Sequence, residues 1–283
     1  MSTFVLKLIA FGSMLIDHFA VCFFDVAKVV VRTKATQPLY LLLRGIGRLA
    51  FPIFGFLIVQ GLIHTRSKWR YAARLGSFAL ISEIPFNVAL FGIKTFVELP
   101  KMQTGVLFSF SGEALHNWVY LFSKTHQNVD FTLLFGLLSV ALLIVVSRWH
   151  GKKRIFGLIL SAAAAAGLGF FAKWFHTDYN MGGVFMITVM GVLTLPIDEF
   201  RPGLKDHWIF RSTVVTAAIL LLCLVSQNRF ELWALCSVPF IALYNGKPGP
   251  KTRFTKWGSY CFYPLHLTVL ALIFVVPKIL AWR

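Results

Sequence analysis

The sequence predicts an all-α membrane protein, a polytopic bundle of about nine transmembrane helices. Composition is the first observation: 57% of the 283 residues are hydrophobic and 14% are charged, against roughly 25% charged residues in a soluble domain. The second is that apolar residues fall in runs of about 20, each long enough to cross roughly 30 Å of hydrocarbon. The third is that Lys and Arg are concentrated between these runs. We expect one domain, residues 1–283, in a bacterial cytoplasmic (inner) membrane.

The nine predicted spans account for most of the chain. They are residues 4–24, 39–63, 72–92, 130–147, 155–173, 180–196, 208–226, 230–244 and 258–280. Residues 104–122 are also apolar but include Glu113, His116 and Asn117, so we expect an extra helical segment on the outer face there. The first span is predicted to stay in the mature protein, because Asp17 interrupts its apolar core and no A-x-A cleavage site follows.

Basic loops predict the orientation of the bundle. Segments 64–74, 148–154 and 245–256 each contain four Lys or Arg residues. With nine spans and a cytoplasmic N-terminus, all three lie in the cytoplasm, as the positive-inside rule requires. A tenth span at 104–122 would move the last two to the outer side. The basic cytoplasmic loops therefore account for the net charge of +17. Because the charge has this explanation, we expect no nucleic-acid partner.

The cysteines and the lack of repeats narrow the functional class. The four cysteines all lie in apolar runs and form no CxxC pair, so neither a disulfide framework nor a metal site is expected. No internal repeat is visible in the sequence, whereas many secondary transporters are built from repeated halves. A transporter is therefore the weaker of the functional hypotheses.

Six ionisable side chains lie well inside the predicted spans, where each is energetically costly. They are Asp17, His18, Arg44, Arg48, Glu83 and His266. The two acids balance the two arginines, and Arg44 and Arg48 share one helix face. Adjacent side chains on a helix diverge by about 100°, so we expect Asp17 to pair with an arginine and His18 to face a cavity. The alternative is an ion-pair network that only fixes helix packing.

Three motifs at the ends of spans supply further candidates. HQNVD (126–130) and DYNMGG (178–183) each open a span from the outer face. The substrate-side residues expected there are Asn128, Tyr179 and Asn180. At the cytoplasmic end, YNGKPGPKTRFTKWG (244–258) is basic and rich in Gly and Pro. It either cradles phosphates or is a plain positive-inside connector.

Two more motifs lie inside predicted spans. SEIPFN places Glu83 two residues before Pro85, and a proline within a helix leaves a backbone carbonyl without its usual partner. FYPLHL places Tyr263 and His266 three residues apart, a spacing that puts both on one helix face. Each motif therefore brings a polar side chain to membrane depth.

Together these blocks resemble the TraX family of bacterial membrane proteins. The matching blocks are LKLIAFGSMLIDHFAVCFF, RGIGRLAFPIFGFLIVQGLIHTRS, RLGSFALISEIPFN, DYNMGG and YNGKPG followed by FYPLHL, in order across nearly the whole chain. The family's namesake acetylates the N-terminus of conjugative pilin, and the family is distantly similar to membrane acyltransferases that modify surface sugars. The catalytic residues that the resemblance implies are His18, Asp17, Arg44, Arg48, Glu83, Tyr263 and His266. The chain departs from the family pattern at residues 93–127, which are longer than usual.

The expected function is an integral-membrane acyltransferase. It would move an acetyl group from cytoplasmic acetyl-CoA to an amine or hydroxyl of an acceptor, either a protein N-terminus or a glycan. A neutral imidazole suits the general base near pH 7, with His18 as the first candidate and His266 as its rival. Arg44 or Arg48 would stabilise the oxyanion. The residues expected to bind the CoA phosphates are Asn245, Lys247, Lys251 and Arg253.

Two other functions stay open at the level of sequence. A proton-coupled transporter could use Asp17, Glu83 and the two histidines as a relay. A non-catalytic membrane assembly factor would need none of these side chains for chemistry.

Overall fold

The computed structural model describes residues 1–92, 126–147, 149–200, 207–250 and 252–280, and their regular structure is helical apart from one isolated bridge between Gln127 and Thr177. The α-helices are α1 Thr3–Ala20, α2 Gln37–Gly47, α3 Ala50–His64, α4 Lys68–Phe91, α5 Val129–Ser147, α6 Gly151–Trp174, α7 Asn180–Phe200, α8 Trp208–Ser226, α9 Val238–Ala242, α10 Arg253–Phe274 and α11 Val276–Leu280. A π-helical turn, Val21–Val26, follows α1, and a 3-10 segment, Arg229–Ser237, precedes α9. This architecture confirms the predicted all-α bundle. The expected outer-face segment 104–122 lies outside the described residues.

The number of spans is smaller than predicted. Within the described part of the chain, six stretches are long and apolar enough to cross a membrane, namely Thr3–Val26, Gln37–His64, Val129–Val146, Gly151–Trp174, Trp208–Ser226 and Trp257–Lys278. The shorter apolar helix Asn180–Val192 is a seventh candidate. The described residues therefore contain about six to seven helices that are apolar enough to span a membrane, and the expectation of nine is wrong.

Two of the predicted spans account for the difference. Residues 72–92 belong to α4, whose 24 residues carry Lys68, Arg70, Arg74 and Glu83 and are too polar to qualify by composition. Residues 230–244 do not form one long helix. They fold as the nine-residue 3-10 segment and then the five-residue α9. In both cases polar residues interrupt an otherwise apolar run.

Small residues set the close approach of α2 to its neighbours. A Cβ atom at Gly47 would overlap the side chain of Asp17 on α1, and one at Gly45 would lie 2.6 Å from the ring of Trp233. Glycine at these positions lets two helix backbones come together, as in many membrane interfaces. As a result, the arginines of α2 reach acidic side chains on both α1 and the 3-10 segment.

The centre of the bundle is α3. Ten of its 15 residues are buried, and it packs against α1, α5 and α7. By contrast, α6 exposes Ile155, Phe156, Ile159 and Phe170 along much of its length, the pattern of a helix that faces lipid. The helices α1, α3, α4, α5 and α10 enclose the site described next.

Candidate functional site

A cavity of about 570 Å³ lies between α1, α3, α4, α5 and α10. Its wall on α1 is formed by Thr3, Lys7, Phe11 and Met14, whose spacing of three to four residues marks one helix face. From Thr3 to Met14 the cavity extends about 16 Å along the helix, at about 1.5 Å per residue. It therefore reaches from one end of the bundle into its middle.

The chemistry of the lining changes along the cavity. Polar and charged side chains line the end near the helix termini, which we call the mouth: Thr3, Lys7, Gln60, His64, Thr65 and Arg74. Apolar side chains line the middle: Phe11, Met14, Phe54, Leu57, Leu75, Phe78 and Leu133. Asp130 and Tyr263 line the inner end. Such a cavity suits a ligand with a charged head and a long, mostly apolar arm.

His18 and His266 form a directly bonded pair one helical turn beyond the inner end. His18 continues the cavity-lining face of α1 four residues after Met14, and His266 follows Tyr263 on α10. The His18 Nδ1 and His266 Nε2 atoms are 2.7 Å apart, and the two rings lie parallel within 2°. Both residues are buried. The sequence indicated His18 as the first candidate for the base and His266 as its rival. In the structure the two imidazoles are hydrogen-bonded to each other.

The hydrogen bonds of the pair determine its tautomers. The Nδ1 atom of His266 lies 2.8 Å from the Phe262 carbonyl oxygen, and a carbonyl can only accept, so that Nδ1 carries the proton. In neutral His266 the Nε2 atom is then an acceptor, and His18 must donate to it from Nδ1. The Nε2 atom of His18 is therefore left with a lone pair, which is what a general base requires.

The arginines at the end of α2 and the acidic residues beside them form a separate ion-pair cluster. The expected pairing of Asp17 with an arginine is present, since its Oδ2 lies 2.5 Å from Nη1 of Arg44. Arg48 Nη1 lies 3.6 Å from Oε1 of Glu231 and donates to the Tyr179 hydroxyl at 3.0 Å. Burial raises the pKa of the Glu231 carboxyl above its usual range, and the guanidinium of Arg48 opposes that rise. Neither arginine lines the cavity.

Glu231 was not identified from the sequence as an acidic partner of the arginines, and Glu83 was counted in that role. The second acid that balances the arginines is Glu231, not Glu83. Glu83 instead accepts from the Asn87 amide at 2.8 Å and from the Asn128 side chain at 2.6 Å. The backbone N–H of Asn128 also donates to Glu83, at 3.2 Å. These bonds tie the residues before α5 to α4, and Asn128 is therefore a structural partner of Glu83.

The basic loop after α9 lies at the cavity mouth. Gly246 and Pro248 line the cavity, while the intervening Lys247 is exposed. Asn245 Oδ1 accepts from the Lys247 backbone N–H at 3.0 Å and so shapes the turn. Lys251 and the side chain of Arg253 lie outside the described residues. The charged residues that line the cavity, Lys7 and Arg74 among them, were not identified from the sequence.

The remaining substrate-side candidates lie away from the mouth. Tyr179 stacks on Phe51, with ring centroids 3.7 Å apart, and binds Arg48. Asn180 is exposed and begins α7 with a φ of 47°. Among the described residues, no group of three or more His, Cys, Asp or Glu side chains is placed to hold a metal ion.

The fold and the cavity together define a polytopic helical membrane protein with a deep cavity that ends near a buried histidine pair. The TraX protein family matches residues 2–274, and the chain belongs to that family. It is also similar to the probable fimbrial assembly protein FimC, serogroup H1, of Dichelobacter nodosus, with 28% identity over 277 residues. That alignment covers 95% of this chain and 94% of the relative. No solved structure matches the chain significantly.

Proposed function

We propose that this TraX-family protein is an integral-membrane acyltransferase. It takes an acetyl group from acetyl-CoA at the cytoplasmic, basic end of the bundle. It then passes the group to an amine or hydroxyl of an acceptor at or beyond an inner membrane. The observation that carries the proposal is the cavity, which runs from a polar, basic mouth to within one helical turn of a buried histidine pair. The tautomers of that pair leave one imidazole nitrogen free to act as a base.

The cavity matches the shape and charge of an acyl-CoA. The Lys7 ammonium donates to Ser259 at 3.3 Å near the mouth, and Arg74 has a buried Nε without a partner among the described residues. Cations at this position suit the phosphates of CoA. The pantetheine arm would occupy the apolar middle, and the depth of about 16 Å along α1 would bring the thioester near Tyr263.

The chemistry follows from the histidine pair. His18 Nε2 removes the proton from the acceptor amine or hydroxyl as the acceptor attacks the thioester carbonyl. The carbon–sulfur bond then breaks, and the CoA thiolate takes up the proton that His18 received. His266 positions the base, because its Nε2 accepts from His18 Nδ1 and stabilises the imidazolium form.

A second candidate function is that of a non-catalytic assembly factor. The name of the Dichelobacter relative describes fimbrial assembly and says nothing of catalysis. The same name favours a fimbrial or pilin subunit as the acceptor if the protein is an enzyme. The two candidates differ in whether acetyl-CoA is consumed.

An acetyl-transfer assay separates these candidates. Purified protein in lipid nanodiscs is mixed with radiolabelled acetyl-CoA and membranes of the source bacterium, and incorporation of label into protein or glycan is measured. The proposal predicts labelling by the wild type and by His150→Ala, since His150 is exposed at the start of α6, and none by His18→Ala. No labelling above background with well-folded wild-type protein would favour the assembly factor.

A further inference from the structure

The hydroxyl of Tyr263 is a buried donor whose proton has no acceptor among the described residues. Only 5% of the residue is exposed, no described residue accepts its proton, and the Val129 backbone N–H approaches its oxygen as a donor. The side chain lines the inner end of the cavity. A buried polar group left unpaired costs free energy, so its position at the end of a cavity indicates that a ligand supplies the missing partner.

The Tyr263 ring is held in place by both histidines. Its centroid lies 6.1 Å from that of His18 and 5.6 Å from that of His266. The ring therefore lies at the inner end of the cavity and beside the histidine pair. A group that bonds this hydroxyl must also be close to the reacting atoms.

Asp130 lies on α5 near Tyr263 and is fixed by a separate network. Its backbone N–H donates to Asn128 Oδ1 at 3.0 Å, and Asn128 is in turn bonded to Glu83. A carboxyl group can donate only when it is protonated, whereas a phenol at neutral pH always carries a proton to donate. Of these two inner-end groups, Tyr263 is therefore the donor available to a carbonyl oxygen in either state of Asp130.

The arginines that the sequence assigned to the oxyanion are engaged elsewhere. Arg44 pairs with Asp17, and Arg48 contacts Glu231 and Tyr179. Neither arginine lines the cavity. The role of stabilising charge at the thioester oxygen therefore needs another group.

We propose that the Tyr263 hydroxyl is this oxyanion donor, an assignment that rests on the proposed acyltransferase function. As the acceptor nitrogen or oxygen bonds to the thioester carbon, the carbonyl π electron pair moves onto its oxygen, and Tyr263 donates a hydrogen bond to that oxyanion. The electron pair returns as the carbon–sulfur bond breaks and the thiolate leaves. Tyr263 keeps its proton throughout, and His18 carries the acceptor's proton to the thiolate.

Tyr263→Phe tests the assignment because it removes the hydroxyl and keeps the ring. Loss of one oxyanion donor lowers the rate of transfer by about 10²–10³-fold. The Kd for CoA, which has no acyl carbonyl, should stay within about threefold. For a ketone analogue of acetyl-CoA, which keeps the carbonyl but cannot transfer it, the Kd should rise by about tenfold, as expected for loss of one hydrogen bond. The matched control is Tyr40→Phe on α2, whose hydroxyl binds Asp25 at 2.6 Å outside the cavity and whose loss should change none of these values.

The outcomes distinguish this assignment from the proposed function. A Tyr263→Phe variant that transfers acetyl within threefold of an active wild type would overturn the assignment and leave the function intact. A wild-type protein that neither binds CoA nor transfers acetyl would overturn both. The variant should also melt close to the wild-type temperature, because the hydroxyl proton has no acceptor in the described protein. A clearly lower Tm or failure to fold would mean that the hydroxyl donates to a protein group, and the assignment would then be wrong.

Discussion

At the scale of single residues, the two histidines have different proposed roles: His18 is the base, and His266 positions it. The His18 imidazole has its lone pair on Nε2 only because its Nδ1–H donates to Nε2 of His266, 2.7 Å away. His266 is held in turn by the Phe262 carbonyl. This chain of bonds fixes which nitrogen can take a proton, so the two residues should tolerate different substitutions.

His18→Asn is the most informative substitution of the proposed base. The asparagine amide can replace the Nδ1–H donor to His266 but has no basic nitrogen, so the protein should fold and melt like wild type. Acetyl transfer should fall by roughly 10²–10⁴-fold, the usual loss on removing a general base. Transfer rate and thermal melting in nanodiscs give both values, and near-normal transfer by His18→Asn would remove His18 from the mechanism.

His266 should behave as a positioning residue. A glutamine there can accept from His18 Nδ1 through its side-chain oxygen, whereas alanine leaves that N–H unpaired. We therefore expect His266→Gln to retain much more transfer activity than His266→Ala, with CoA binding unchanged in both. Equal, complete inactivity of the two variants would instead indicate that His266 is itself the base.

At the scale of helices, the contact between α1 and α2 depends on the lack of a side chain at Gly47. A Cβ atom there would overlap Asp17, so Gly47→Ala should push the helices apart, weaken the Asp17–Arg44 pair and lower the Tm. Gly12→Ala is the matched control, since nothing lies within 4 Å of a Cβ at that α1 position. Alanine there should be neutral or stabilise by up to about 1 kcal/mol through helix propensity. Equal melting of both variants would show that α1 and α2 do not pack as described.

The ion pair itself should contribute to folding. Asp17→Ala leaves Arg44 without its carboxylate, and breaking a fully buried pair costs about 3–5 kcal/mol. The two side chains are 21% and 14% exposed, so solvent screening should reduce the loss below that range. Denaturation of Asp17→Ala measures the cost, and the exchanged pair Asp17→Arg/Arg44→Asp should recover part of it. A wild-type melting curve for Asp17→Ala would contradict the pairing.

The helical elements and the ion pair between Asp17 and Arg44 could be predicted from the sequence. The partners of Arg48 and Glu83 could not. Helical spacing alone showed that Arg44 and Arg48 share a face, and Asp17 does meet Arg44. Glu231 was overlooked because it is the second residue of the predicted span 230–244 and was not counted as lying well inside it. Glu83 was counted in the charge balance with the arginines, but amide donors from Asn87 and Asn128 satisfy it. Lys7 was not identified, because only the fold shows that its face of α1 borders a cavity.

At the scale of the whole molecule, the orientation in the membrane is still a prediction. The cavity mouth, the start of α4 and the start of α6 lie near basic residues, which favours a cytoplasmic position for all three. In a cysteine-free background, Ser67→Cys and Lys153→Cys should react with thiol reagents only from the cytoplasmic side. Asp178→Cys, between α6 and α7, and Lys101→Cys should react only from the outside. This pattern requires the polar helix α4 to cross the membrane in addition to the apolar spans, because Ser67 precedes it and Lys101 follows it in the chain. Labelling of Lys153→Cys from the outside would contradict this arrangement.

The proposed acyltransferase function requires the cavity to bring an acyl thioester to the histidine pair. The most direct measurement is a cryo-EM structure of the protein in nanodiscs with the ketone analogue of acetyl-CoA at saturating concentration. The proposed mechanism predicts density for the CoA phosphates beside Lys7 and Arg74 and for the pantetheine arm between α1 and α10. It also predicts density for the carbonyl oxygen of the analogue at the Tyr263 hydroxyl. An empty cavity, or an analogue bound elsewhere on the protein, would contradict it.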